Sequence, residues 1–295
     1  MRATRLPRLH VITDTRGLET QPDPLAVIES ALIAGARLVQ VRPEDHYTDR
    51  EAFDLATAIA ALCDQYGAAC LVNDRVHLAL AVGADGVHLG ADDLPIDAAQ
   101  RILPAASVIG GTARDPESAR AARRAGATYL GVGPVWGTTT KAGLPQPIGL
   151  EGLAAVCEAV DLPVIAIGGI TAERAALCRE AGAHGVAVVG AISTAADPRE
   201  ATAELLEAVG ESPNPVAGIG RGGRRIGGDA GRRSGTAVGR GSGERARSRE
   251  GAVATGVVEL IAPQTAADRS IASSDQAGTS AAPPDVHLLR GTGEA

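Results

Sequence analysis

Lys141 is the only lysine in a chain whose other basic residues, out of 28 in all, are arginines. A compact ammonium meets phosphate oxygens as a point charge, which the broad guanidinium fork does not reproduce. Three threonines, Thr138, Thr139 and Thr140, stand directly before it and offer hydroxyls and backbone N–H groups to an anion. Asp74 and Asp93 each follow a short β-branched run. Mg²⁺ is held by one or two carboxylates together with substrate phosphates, so the pair suits a metal-bridged diphosphate, with Asp92 as an alternative to Asp93. Gly168-Gly169 precedes Thr171, and Gly190 precedes Ala191-Ile192-Ser193; glycine loops of this kind present backbone N–H groups to phosphate. Each feature also has a plainer reading: a lysine on a solvated loop, aspartates as helix caps, glycines at ordinary turns. The functional reading rests on their falling together. No Ser-His-Asp or Cys-His arrangement and no metal-ligand spacing of histidines is evident, and His10 and His88 read as packed strand residues. What remains is chemistry driven by stabilising the charge of a departing phosphate group.

Those residues need a scaffold that brings them to one place. β-Branched runs recur at 9–13, 37–42, 69–73, 86–89, 107–112, 128–132, 163–167 and 185–189. Helical patterns fall between them at 24–34, 49–66, 116–125, 150–160, 171–181 and 198–209. Thr48, Asp97, Asp115, Thr171 and Asp197 stand where N-caps belong, and Gly35, Gly67, Gly83, Gly126 and Gly182 where left-handed helix ends do. Ala-Gly-Ala recurs at three helix-to-strand junctions, 34–36, 125–127 and 181–183. Alternating strands and helices imply a parallel sheet. Eight such units imply an α/β fold closed into a (β/α)8 TIM barrel, with an open doubly wound sheet as the structural alternative. In such a barrel the active site lies at the C-terminal ends of the strands. Gln40 and Arg42, Asn73 and Asp74, Asp93, Thr112, the 133–141 loop, Gly169 and Gly190 all follow strands and so converge on one rim.

The two ends of the chain differ in kind. All the aromatics (Tyr47, Phe53, Tyr66, Tyr129, Trp136) lie in the first half, and in 211–295 arginines outnumber acidic residues although the whole chain carries a net charge of −7. Gly, Arg and Ser dominate 218–251 and cannot bury enough apolar surface to offset ordering. The expected organisation is therefore a barrel over 1–210 and a disordered C-terminal extension over 211–295. Without aromatics to stack on bases, the extension reads as a solvated tail rather than a nucleic-acid binder. Apolar runs are too short for a membrane helix, no signal peptide is evident, and the four cysteines (Cys63, Cys70, Cys157, Cys178) show no pairing pattern. A soluble cytoplasmic protein is expected, with no nucleic-acid or membrane partner and with a homo-oligomer left open.

The ordered set Gln40-Val41-Arg42, Asn73-Asp74, 85–90 with Asp93, Gly110-Gly111-Thr112, 131–136, Thr138-Thr139-Thr140-Lys141 and 166–170 resembles the thiamine phosphate synthase family over residues 8–209. The resemblance implies a transferase that joins 4-amino-2-methyl-5-hydroxymethylpyrimidine diphosphate to a thiazole phosphate, releasing diphosphate through a pyrimidine-methyl cation. It implies that Gln40, Arg42, Asn73, Thr112 and Lys141 contact the pyrimidine substrate, and that Arg42 and Lys141 stabilise the leaving group. It also implies that Asp74 and Asp93 hold Mg²⁺, and that Thr138, Thr139, Thr140, Gly169, Val189 and Gly190 surround the thiazole phosphate. Related alternatives are a thiazole tautomerase on the same barrel and a non-enzymatic sensor of phosphorylated ligands. The chain departs from the family pattern at Glu44, where Lys is usual, and more mildly at Thr112 and Gly190, where Ser is common. A glutamate beside a diphosphate must be compensated. The expectation is that it points to solvent, with neutralisation by a nearby arginine, such as Arg50 or Arg75, as the alternative.

Overall fold

The structure, a computed structural model, describes residues 6–17, 22–140 and 143–212. Lys141 and almost all of the 211–295 extension, including its expected disorder, lie outside the described residues. In chain order the elements are β1 (Leu9–Ile12), α1 (Pro24–Ala34), β2 (Leu38–Val41), α2 (Asp49–Tyr66), β3 (Ala69–Asn73), α3 (Val76–Val82), β4 (Gly86–Leu89), α4 (Ile96–Ile102) and β5 (Val108–Ala113). They continue with α5 (Pro116–Arg124), β6 (Tyr129–Val132), α6 (Gly149–Ala159), β7 (Val164–Ile167), α7 (Ala172–Glu180), β8 (Gly185–Val188), α8 (Gly190–Ser193) and α9 (Pro198–Ala208). Neighbouring strands pair in parallel and β1 pairs with β8 (Leu9 with Val186, Val11 with Val188), so the sheet is a closed barrel and not an open one. Among the described residues no helix is long and apolar enough to cross a membrane.

The caps explain why most elements start and stop where the sequence places them. Thr48 and Glu51 form a reciprocal capping box at α2, and Asp115 does the same with Ser118 at α5. Thr171 and Asp197 cap α7 and α9. Gly35, Gly67 and Gly83 end α1, α2 and α3 in the left-handed conformation. Two elements differ from expectation. α3 and α4 are seven-residue helices with no side-chain cap, and Asp97 is not a cap: it lies in the first turn of α4 and pairs with Arg101 at 3.0 Å.

The two-residue period of the strands sorts their side chains. Leu9, Val11, Val39, Val41, Leu130, Val132, Val164, Val186 and Val188 face outward and form the core shared with the helices. The alternate residues face inward, with Ile12, Leu38, Leu71, Tyr129, Ile165 and Ala187 forming the lower plug. Glycine makes room there. A Cβ on Gly110 would stand 2.2 Å from the Tyr129 ring, and one on Gly131 2.7 Å from His88.

His10, inside this plug, is held neutral: burial pushes its pKa down to about 3, against the opposing hydrogen bond to Pro7 O and with further lowering from His88 and His184. A base with a depressed folded pKa lets the unfolded chain take up the extra proton between pH 3 and 6.5, so stability is lost as pH falls through that window. Stability to urea should drop by about 3 kcal/mol between pH 7 and pH 4, and His10→Gln should remove most of that slope. At the barrel seam, a Cβ on Gly185 would stand 2.0 Å from the backbone oxygen of Arg8. Gly185→Ala should therefore cost about 3 kcal/mol or more of urea stability; a near-normal denaturation midpoint would mean the β1–β8 seam is looser than described.

Candidate active site

The inward phase of the strands continues upward into a cleft at the C-terminal rim, with a cavity volume of about 150 Å³. Gln40, Arg42, Asn73, Asp74, His88 and Thr112 line one side, and Thr138, Thr140, Gly168 and Leu144 the other. A second cavity of about 90 Å³ opens beside it, walled by Thr138, Thr140, Gly168, Gly169, Val189 and Gly190. The two cavities share Thr138 and Thr140. Of the residues expected at the site, Thr139 and Asp93 line neither cavity, and the Thr139 side chain is exposed.

Arg42 is the charged wall of the larger cleft, with only 8% of its surface exposed. Its Nη2 donates to Thr140 O at 3.1 Å, while its buried Nε has no hydrogen-bond partner among the described residues. An orphaned buried donor of a cation costs free energy unless an anion arrives. Glu44 does not point to solvent; a nearby arginine neutralises it, but that arginine is Arg42 and not Arg50 or Arg75. Glu44 Oε1 lies 3.2 Å from Arg42 Nη2, with the side chain 27% exposed. The cause is local: the Glu44 N–H donates to Thr15 Oγ1 at 3.1 Å, which holds the segment over the rim beside the arginine.

Asp74 is the one described non-glycine residue at positive φ, 63°. Asp tolerates that conformation better than most residues, and its N–H donates to His88 O at 2.8 Å. The turn places Asp74 on the cleft wall. Asp93, at the end of the adjacent strand, accepts from the Gly90 N–H through Oδ2 at 2.6 Å; Asp92 is exposed. Among the described residues no group of three His, Cys, Asp or Glu side chains forms a closed metal cage. Asp74, a carboxylate on the cleft wall, is the kind of ligand that Mg²⁺ takes together with phosphate and water, while Asp93 lines neither cavity.

His88, expected from the sequence to be a packed strand residue, walls the cleft together with Tyr129. His88 Nε2 lies 3.1 Å from Thr112 Oγ1 and its Nδ1 3.0 Å from the Tyr129 hydroxyl. Burial keeps the Tyr129 phenol protonated, pushing its pKa up against the opposing hydrogen bond with Gln40. Tyr129, His88 and Thr112 thus form one hydrogen-bonded chain across the barrel, which orients the Thr112 hydroxyl facing the cleft. The sequence signal was present in the strand phase, since His88 and Tyr129 share the inward register.

The glycine wall is equally specific. Gly168 and Gly169 have φ of 100° and 63°, and a Cβ on Gly169 would stand 2.6 Å from Gly137 O. Only glycine lets the loop after β7 lie against the loop after β6. Arg174 locks the contact by donating to Gly169 O at 2.6 Å and stacking 4.9 Å over Trp136.

The thiamine monophosphate synthase family model matches residues 9–192. The chain belongs to the thiamine monophosphate synthase family. It is 58% identical over 206 residues to a thiamine-phosphate synthase of Salinispora arenicola, covering 69% of this chain and 98% of that relative. Against a thiamine-phosphate synthase of Salinibacter ruber it is 43% identical over 202 residues, 68% of this chain and 88% of the relative. Among solved structures, a thiamine phosphate pyrophosphorylase from Pyrococcus furiosus superposes with a TM-score of 0.62 at 40% identity, over 68% of this chain and 95% of that one. A 3-hexulose-6-phosphate synthase from Salmonella typhimurium, at 20% identity and a TM-score of 0.53, shares the fold alone. None of these findings favours the tautomerase alternative.

Because Glu44 occupies the guanidinium that an incoming anion needs, Glu44→Gln should tighten binding of inorganic diphosphate, measured by calorimetry, by about three- to tenfold at low ionic strength, fading toward 1 M salt. An unchanged affinity would show that the ion pair does not compete with ligand.

Proposed function

We propose that the chain condenses a pyrimidine-methyl diphosphate with a thiazole phosphate, giving thiamine phosphate and diphosphate. The observation that carries this reading is the pair of adjoining cavities sharing Thr138 and Thr140: one is walled by a buried cation with an orphaned donor, the other by glycine backbone. A diphosphate suits the first and a phosphate monoester the second, which leaves the two rings facing each other between them.

Gln40 and Asn73 orient the pyrimidine. Arg42 stabilises the charge that grows on the diphosphate as the methylene C–O bond breaks, and its preset geometry favours the transition state over the ground state. The thiazole nitrogen then forms the new C–N bond with its own lone pair, so no protein base is required. Asp74 and Asp93 would hold Mg²⁺, which when bound would supply additional positive charge to the leaving group. Lys141, beyond the described residues but directly after Thr140, is assigned the same role on sequence grounds. The four cysteines are free, three of them buried, which suits a cytoplasmic location.

The decisive assay follows diphosphate release with both substrates and with each alone; release only with both present is expected, and steady release from either one alone would refute a condensation. Asp74→Asn keeps a residue that tolerates positive φ, and Asp93→Asn keeps an acceptor for the Gly90 N–H, so neither should unfold the barrel. Each should raise the Mg²⁺ concentration for half-maximal turnover at least tenfold. Unchanged metal dependence would reduce that aspartate to a rim cap.

A further inference from the structure

The segment Thr13-Asp14-Thr15-Arg16, immediately after β1, has no role in the reaction described above, yet it touches three other rim loops. Asp14 is 4% exposed and accepts three bonds: from Arg16 Nε at 2.7 Å, from Arg16 Nη2 at 2.6 Å and from the hydroxyl of buried Ser193 at 2.7 Å. Burial alone would push its carboxyl up, but the Arg16 fork, the Ser193 hydroxyl and the Arg16 charge hold it down at about 2. It is therefore an anion throughout the physiological range. Ser193 belongs to α8, which begins at Gly190 on the wall of the smaller cavity. Arg16 reaches across the rim, its Nη1 donating to Thr139 O at 3.5 Å, and Glu44 also raises its pKa through charge.

We propose that Asp14 is a positioning residue for the phosphate subsite, acting through Arg16 on the 138–140 loop and through Ser193 on the turn at Gly190. The proposal rests on the condensation reading for the identity of the phosphate but not for the existence of the bracket. Its logic is geometric. The walls of the smaller cavity come from the loops after β6, β7 and β8. The contact of Gly169 with Gly137 ties the first two together, and none of the bonds named there fixes the third relative to the first. Asp14 supplies that tie. One carboxylate oxygen faces Ser193 and both face the guanidinium, so the separation of Thr139 from the turn at Gly190 is set by a rigid bidentate pair. The 3.5 Å contact to Thr139 is long and weak in itself; its value lies in a guanidinium already immobilised by Asp14. Thr139, exposed and outside both cavities, then has its function in the backbone: its carbonyl is the handle by which flanking Thr138 and Thr140 are aimed.

The test uses full-length protein and the variants Asp14→Asn, Arg16→Gln, Arg16→Lys and the double Asp14→Asn/Arg16→Gln. Asn retains an acceptor for Ser193 but not the charged fork. A loss of uniform binding at one subsite raises KM for the ligand of that subsite and leaves kcat unchanged. Asp14→Asn and Arg16→Gln should each raise the KM for thiazole phosphate about tenfold, with KM for the pyrimidine diphosphate within twofold and kcat little changed. The double variant should be no worse than either single one, since both remove the same link, and Arg16→Lys should recover part of the loss. A parallel rise in both KM values together with a lower urea midpoint would make Asp14 merely structural and overturn the proposal, as would full additivity or no effect. If the unaltered protein releases no diphosphate with the two substrates, the functional reading fails. The bracket is then judged by titrating inorganic phosphate, which Asp14→Asn should bind about tenfold more weakly; equal affinity would overturn it.

Discussion

Leu9, His10 and Val11 of β1 pair with Val186, Ala187 and Val188 of β8, and that seam turns eight short strands into a ring. Closure has two consequences that no single strand could supply. It removes both sheet edges, so four- to six-residue strands persist without exposed backbone groups. It also points every inward side chain at a common axis and every strand end at a common rim. The loops after β2, β3, β5, β6, β7 and β8 become neighbours although they span most of the described sequence. Two cavities sharing Thr138 and Thr140 are possible only because β1 completes the circle.

The electrostatics of the rim follow from putting a guanidinium in that enclosed space. Arg42 cannot be hydrated as a surface arginine is, and an isolated buried charge is costly. Thr140 O and Glu44 offset part of that cost, while Thr13 and Thr15 hold the Arg42 backbone, Thr13 Oγ1 accepting from its N–H at 2.8 Å and Thr15 donating to its carbonyl at 2.8 Å. Glu44 at this position is therefore intelligible as an internal counter-ion. A lysine there would add a second cation and raise affinity for anions; glutamate instead offsets the charge of Arg42 until an anion arrives.

Much of the fold was legible because its signals are local. Thr48 with Glu51, Asp115 with Ser118, and Gly35 or Gly67 at positive φ are decided within a few residues, and the structure has them where the sequence places them. α3 and α4 are less clearly marked: Gly83 ends α3 as the sequence places it, but seven residues give barely two turns, neither helix has a side-chain cap at its start, and tertiary packing holds them. At the site, strand ends located Gln40, Arg42, Asn73, Asp74 and Thr112 correctly on the cleft. The orientation of Glu44 was not legible, because it depends on Thr15, a residue 29 positions away that the pairing of β1 with β2 brings near. Asp14 is harder still, since its hydroxyl partner lies 179 residues on, across the closing seam.

The polar floor shows how a chain with only 2% aromatic residues still specifies a unique interior. Tyr129 and His88 are large groups in a narrow barrel, and they fit because Gly110 and Gly131 stand where their rings pass. Glycine in a strand weakens it by entropy and by lost packing, so its presence at two inward positions of adjacent strands argues for a gain elsewhere. That gain is the bonded chain from Tyr129 through His88 to Thr112, which ends on the cleft wall. A purely aliphatic plug would fill the same volume and leave the Thr112 hydroxyl free to rotate. The glycines thus belong to the active site as much as to the fold: they create the space in which a buried hydroxyl can be held in one orientation before any substrate enters.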